Sequence, residues 1–525
     1  LMKKRVFVFL IAITLIVSAC GNRNNQTAET TDKLSVFALK NVYVEDINTN
    51  EFTKYYEKQS GIHISWEIAS GDASQAFNLK IASGQYPDIF YGFPIGPAEQ
   101  KLYAKSGVLI DLTDYIDKYA PNIKKMFEEN PDWKDSVTIN GKVYGVPAIN
   151  SSLISQYDNV MWVYKPWFDK LGIDVPTTTD EFYEMLKLVK NTDLNGNGKA
   201  DEIPLASRGL MSDAGLLGYL MNSFCYTNTT AGPGEFVKKE KGKIKFVANT
   251  DEFKEGLAYI RKLYSEGLIE HDSLTMDRTR ITSLGESEPP VLFAAPGLMA
   301  SYFTVNGSES NRTLDYVAIP PVKGPSGYAN TVHKYEGKGD IYMSITSACK
   351  DPVTAIKWLD GLLSPEMMYK AKGLETYMRE AKDGEMGLDG KQAKYAYMKT
   401  DKTLQEEKNK YWKIFYAGFA IEDMLTSCYY EEEYNGKLSQ NRYDAQVMYK
   451  PFDKNESVNM LVCDENDAEE YAQLRVALEN CITSYAASFI SGEKSLTSNW
   501  NEYLNALKQN GLERYLEICN KSEYK

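Results

Sequence analysis

The sequence predicts an α/β protein in two or more lobes with a helical C-terminal third. Three observations predict it. From residue 34 to 91 strand-like and helix-like patterns alternate. Behind its N-terminal leader the chain keeps about 500 residues, more than one hydrophobic core usually organises. Beyond residue 406 apolar residues recur at helical spacing over 406–426, 469–489 and 499–518.

The alternating stretch reads as strand 34–39, helix 51–60, strand 63–68, helix 75–83 and strand 86–91. Strands separated by helices pair in parallel, and the ligand crevice of such a sheet lies beyond the carboxyl ends of its strands. The third strand is expected to stop at Tyr91-Gly92-Phe93-Pro94, which places the rings of Tyr91 and Phe93 at the crevice edge. Asn140-Gly141 between short apolar runs predicts a tight hairpin. Residues 377–397, rich in Gly, Lys and Asp, predict an exposed hairpin or loop insertion.

Residues 191–205 carry the most specific local signal. Oxygen-bearing side chains stand at Asp193, Asn195, Asn197 and Asp201, with Gly198 sixth from Asp193. Alternating oxygens with a glycine at the sixth place are how a short loop wraps Ca2+. Lys199 would offer its backbone carbonyl. The twelfth place, a glutamate in an EF-hand, is Pro204 here, so Glu202 is the carboxylate positioned to close the shell. The competing reading is a plain turn, since Asp, Asn and Gly also build loops that bind nothing. A calcium ion held here would be structural.

The N-terminus reads as an address. Lys3, Lys4 and Arg5 precede an apolar run over 6–17 and then Val17-Ser18-Ala19-Cys20, the layout of a secretory signal peptide over 1–19 with a lipobox cysteine. Cys20 would carry the lipid, palmitate included. Residues 20–33 are polar and form a flexible tether. Removal of the three leader cations leaves 56 basic against 72 acidic residues, a net charge of −16. That balance argues against nucleic acid as a partner. The six cysteines beyond Cys20 show no C-x-x-C spacing, which disfavours zinc and redox motifs. Their pairing is left open by spacing alone.

Catalytic motifs are lacking. The three histidines, His63, His271 and His333, belong to no H-E-x-x-H, and neither a G-x-S-x-G elbow nor a P-loop occurs. A glycosidase needs only two opposed carboxylates, and with 72 acidic residues sequence cannot choose among them.

Residues 159–205 run through an apolar strand, K-P-W-F-D-K-L-G, a P-T-T turn, a helix capped by Thr179 or Asp180, and N-G-N-G-K-A-D-E-I-P-L. With L-K-I-A-S-G-Q-Y-P-D-I-F and G-K-V-Y-G-V-P, this order resembles extracellular solute-binding proteins of carbohydrate ABC importers, in the lipoprotein branch that includes alginate-binding proteins. The resemblance implies a two-lobe, periplasmic-binding-protein-like fold with a hinge between the lobes. It implies lobe 1 over 34–152 with 290–337 returning to it, and lobe 2 over 153–289 completed by 338–525.

The implied function is non-enzymatic: capture of an oligosaccharide between the lobes and delivery to a membrane permease, by a monomer anchored at Cys20 on the outer face of a Gram-positive cell membrane. A peptide or other solute, or a surface-anchored carbohydrate-active enzyme, stand as alternatives. Sugars need aromatic faces and polar rims. The implied ligand residues are Tyr91, Phe93, Gln156, Tyr157 and Asp158 at the first crossing, Tyr302 and Phe303 after the return strand, and Trp412 and Tyr416 at i, i+4 on a late helix. Core packing is the expected role of Trp162, Trp167, Trp358 and Trp500.

Overall fold

The computed structural model describes residues 33–40, 44–69, 73–147, 153–229, 236–333, 340–373, 377–399, 408–412, 425–458, 461–464 and 466–524. Cys20, residues 20–32 of the tether and Tyr416 lie outside them, while Lys33, expected in the tether, opens the first strand. Strands β1 (Lys33–Ala38), β2 (His63–Ile68), β3 (Ile89–Ile95) and β4 (Val146–Pro147) belong to the first lobe. Strands β5 (Val160–Tyr164), β6 (Ile203–Leu205), β7 (Leu292–Gly297) and β8 (Tyr316–Ile319) belong to the second, and β9 (Ile341–Ile345) returns to the first. The main helices are α1 (Glu51–Ser60), α2 (Ala73–Ser83), α3 (Pro97–Lys105), α4 (Thr179–Lys190), α5 (Asp251–Ser265), α6 (Pro352–Leu362), α7 (Glu433–Tyr449), α8 (Ala468–Ser491), α9 (Trp500–Gln509) and α10 (Leu512–Lys521).

The first sheet runs β2-β1-β3-β9-β4, with β1 parallel to β2 and β3, and β9 antiparallel to β3 and β4. The second runs β8-β5-β7-β6, with β5 antiparallel to both neighbours and β7 parallel to β6. Each sheet has its own core. One is built from segments between residues 34 and 146 and between 341 and 428, the other from segments between 153 and 322 and between 445 and 519.

The expected lobe boundaries are therefore corrected. The stretch 290–333 stays in the second lobe because β7 pairs with β5 and β6, and β8 with β5. Residues 340–430 complete the first lobe through β9, α6 and a small sheet of Met378–Glu380, Tyr395–Tyr397 and Cys428–Tyr430. The chain then returns to the second lobe with α7. The cause is that β7 and β9 are apolar almost throughout; such strands announce burial without naming the sheet that buries them.

Local expectations held where turn chemistry is explicit. Asn140 and Gly141 both take positive φ, 51° and 77°, the geometry of a two-residue hairpin turn between the paired strands Thr138–Ile139 and Lys142–Val143. Thr178 rather than Thr179 or Asp180 caps α4, through a capping box with Glu181. The expected helix 499–518 is broken at Gly511, φ 85°, into α9 and α10.

Trp412 lies outside any helix, its backbone N–H bonded to the Ala371 carbonyl. Its indole N–H donates to Thr53 Oγ1 at 2.7 Å, and its ring edges onto Phe52, Trp66 and Tyr91. Truncation of so large a buried ring leaves a cavity. Trp412→Ala should lower the unfolding free energy by about 3–5 kcal/mol in urea denaturation; a loss below roughly 1 kcal/mol would contradict the packed position.

Candidate functional site

Two sheet edges define the site. In the first lobe Ile95 of β3 and Pro147 of β4 both pair with Ile341 at the start of β9. In the second, the start of β5 pairs with the end of β7 at Val160 and Gly297, and β6 and β8 finish at the same edge. Residues 148–152 join Pro147 to Leu153, and 334–339 join His333 to Asp340. Links of that length span about 25 Å at most, which limits how far Leu153 and His333 lie from the first edge. Each edge carries carboxyl ends of strands, where open α/β sheets bind ligands.

On the first edge, Asp340 and Glu99 flank Gly96, where a Cβ would lie 2.8 Å from Glu99 Oε2 and 3.7 Å from Asp340 Oδ1. Burial raises the Asp340 carboxyl above its ordinary pKa, and Glu99 adds to the shift. On the second edge the loop after β6 carries Arg208 and Asp213, paired through Arg208 Nη2 and Asp213 Oδ1. The Arg208 guanidinium stands 5.6 Å from the centre of the Tyr302 ring. Asn159 enters β5 with φ 59°, its carboxamide buried against Gly218 and satisfied by no described residue.

The expected ligand residues divide. Tyr302 stands half-buried at the second edge. Gln156, Tyr157 and Asp158 do lie where the chain enters the second lobe, but Tyr157 and Asp158 are buried. The Tyr157 ring packs on His333, 5.3 Å between centres. Tyr91, Phe93, Phe303 and Trp412 belong to the cores instead. Strand β3 does not stop at Tyr91: Gly92, at φ 84°, opens a bulge in which residues 92–94 face Tyr342 alone, and pairing resumes at Ile95. Phe93 therefore stacks on Phe37 at 4.9 Å, and Tyr91 edges onto Trp66, Trp358 and Trp412. Phe303 edges onto Tyr316 at 4.9 Å. Trp162, Trp167, Trp358 and Trp500 are core residues as expected.

Sequence reading missed Arg208 and Asp213. The available signal was their place, just after a strand that ends in I-P-L.

The loop after α4 closes on itself. Asp193 accepts from the backbone N–H groups of Gly196, Asn197 and Gly198, and the side-chain oxygens of Asn195 and Asn197 accept from Asn197 N–H and Lys199 N–H. Asp201 accepts from Asn195 and Asn197. Gly196 and Gly198 take φ 76° and 84°, which make the sharp turns. Glu202 is buried; its Oε1 accepts from Leu194 and Asn195 N–H, while Oε2 has no hydrogen-bond partner among the described residues. A buried carboxylate oxygen without a donor fits a cation site. Among the described residues no group of three or more His, Cys, Asp and Glu side chains is arranged to hold a metal.

Two α/β lobes, each with its own sheet and core and joined by short links, are the architecture of a two-lobe solute-binding protein. The chain belongs to the bacterial extracellular solute-binding protein family, whose pattern it matches over residues 44–369. It is 28% identical to the fructooligosaccharide ABC transporter substrate-binding protein FusA of Streptococcus pneumoniae, over 98% of this chain and 96% of that one. The fold is shared with FusA in complex with kestose, at 24% identity and a TM-score of 0.66, covering 93% of this chain and 98% of that one. It is shared too with a solute-binding protein for HMO from Bifidobacterium longum infantis, at 23% identity and 0.76, covering 94% and 98%. The alginate-binding protein AlgQ2 follows at 19% identity and 0.59, covering 93% and 97%.

The split between edge and core is testable on adjacent residues. Phe303→Ala should cost about 3–5 kcal/mol of stability and Tyr302→Ala less than half of that, read as paired urea midpoints. Equal losses would place both rings in the core.

Proposed function

We propose that this chain is the substrate-binding subunit of an ABC importer that captures an oligosaccharide in the crevice between its lobes and hands it to a membrane permease. The observation that carries the reading is the end-to-end likeness to FusA, a fructooligosaccharide-binding subunit, on a chain of two separate cores. Binding would draw the two lobes together by hinge closure, and the closed form is what the permease would read. A half-buried ring beside charged and polar groups suits the C–H faces and hydroxyl rims of sugars. The binding-protein family membership supports capture without chemistry. A monomer anchored through Cys20 to the outer face of a Gram-positive membrane, within the branch that includes alginate-binding proteins, completes the proposal. The motif order over residues 159–205 supports that branch.

A structural Ca2+ belongs to the reading. Asp193, Asn195, Asn197, Asp201 and Glu202 would hold it with the Lys199 carbonyl. The ion would neutralise the carboxylates at the corner between α4 and β6.

The experiment is thermal melting of the mature chain against neutral and acidic oligosaccharides, with and without a chelator. A ligand bound only by the folded state raises the Tm. One oligosaccharide class should do so, and chelator should lower the baseline for the parent but not for Asp193→Ala. No shift with any oligosaccharide, with reducing ends released instead, would replace transport by an enzyme. A parent melt indifferent to chelator would leave residues 193–202 as a turn.

A further inference from the structure

The pairing of Arg208 with Asp213 bears on which oligosaccharides the crevice accepts. The two side chains come from one closed loop. Arg208 N–H donates to the Ala214 carbonyl at 3.0 Å, Ser212 Oγ to the Arg208 carbonyl at 2.9 Å, and Leu216 N–H to the Gly209 carbonyl at 3.1 Å. Gly215 closes the loop where nothing larger fits, since a Cβ there would stand 2.5 Å from the Leu210 carbonyl oxygen. A loop braced in this way presents its charged groups at little ordering cost on binding.

The pair is partly open to solvent, at 24% for the Arg208 side chain and 32% for Asp213. A guanidinium has five N–H donors and a carboxylate about four acceptor positions, so one mutual contact leaves both with capacity. Donors and acceptors side by side match neighbouring sugar hydroxyls, each of which donates and accepts. The Tyr302 ring lies beneath the guanidinium and braces it in place.

The charge is equally informative. An unpaired arginine here would attract a sugar carboxylate; this one already holds a resident carboxylate. A uronate would have to displace Asp213 or sit beside it against like-charge repulsion. The chain's overall acidity opposes polyanions as well.

We propose that Arg208, Asp213 and Tyr302 form a subsite for neutral sugar hydroxyls that excludes uronates. This rests on the oligosaccharide-binding reading above and narrows it. Isothermal titration of the mature chain with a panel of neutral trisaccharides, kestose among them, and with trigalacturonate tests it. The parent should bind a neutral member and not trigalacturonate. Asp213→Asn frees the arginine: neutral binding should fall about tenfold and trigalacturonate binding should emerge. Arg208→Gln should weaken neutral binding without admitting the acid. Tyr302→Leu should lose affinity with its Tm held within a few degrees, a pattern that a merely structural role would not produce.

Parent binding of trigalacturonate as tight as of any neutral sugar overturns the proposal. So does neutral binding unaltered in both Asp213→Asn and Arg208→Gln, which would leave the transport reading standing. Failure to bind any member of either class would remove both.

Discussion

Gln446 holds the point at which the chain enters the second lobe. From α7 its carboxamide oxygen accepts the Tyr157 N–H at 2.6 Å, and its NH2 donates to the Tyr157 carbonyl at 3.0 Å. A side chain thereby pairs with a backbone as a neighbouring strand would. One turn on, the Tyr449 hydroxyl accepts from Met161 N–H and donates to the Ile319 carbonyl, spanning β5 and β8. These groups are buried, and each left unpaired would cost about 1–3 kcal/mol. The residues that satisfy them come from 130 to 289 positions away, so the second lobe is complete only when the chain has passed through the first and come back.

That constraint shapes the functional site. The chain leaves the first lobe at Pro147 and re-enters it at Asp340, both at the edge where its strands end, and open α/β sheets bind ligands at such ends. What can bind there depends on the groups those edges carry. The second edge supplies an aromatic ring, a neutralised arginine and a buried carboxamide; the first supplies two neighbouring acids, one with a raised pKa. A set rich in both donors and acceptors suits a hydroxylated, uncharged ligand.

Sequence pattern made the fold class legible because it depends on local periodicity: the alternation before residue 91, the Asn140-Gly141 turn, the helices after 468. It could not assign β7 and β9 to their sheets, since apolar strands buried on both faces look alike whichever sheet they join. The aromatic positions failed for a related reason. Tyr91, Phe93 and Phe303 are placed by the expected ends of strands and Trp412 by i, i+4 spacing on an expected helix; a single bulge at Gly92 carries β3 past its expected stop, and Trp412 lies outside any helix. Tyr302, one residue from Phe303, reached the edge because it follows the strand on the open side. The turn at Gly198 is legible from its glycine, whereas the Arg208–Asp213 pair becomes visible only with the return of the chain at Ala214.

The central claim is that two independently cored lobes close on an oligosaccharide. Small-angle X-ray scattering of the mature chain, recorded alone and saturated with the sugar that raises its Tm, tests that claim most directly. Closure makes the radius of gyration smaller in the bound form. An unchanged radius with the sugar demonstrably bound would contradict closure and leave a rigid sugar-binding surface in its place.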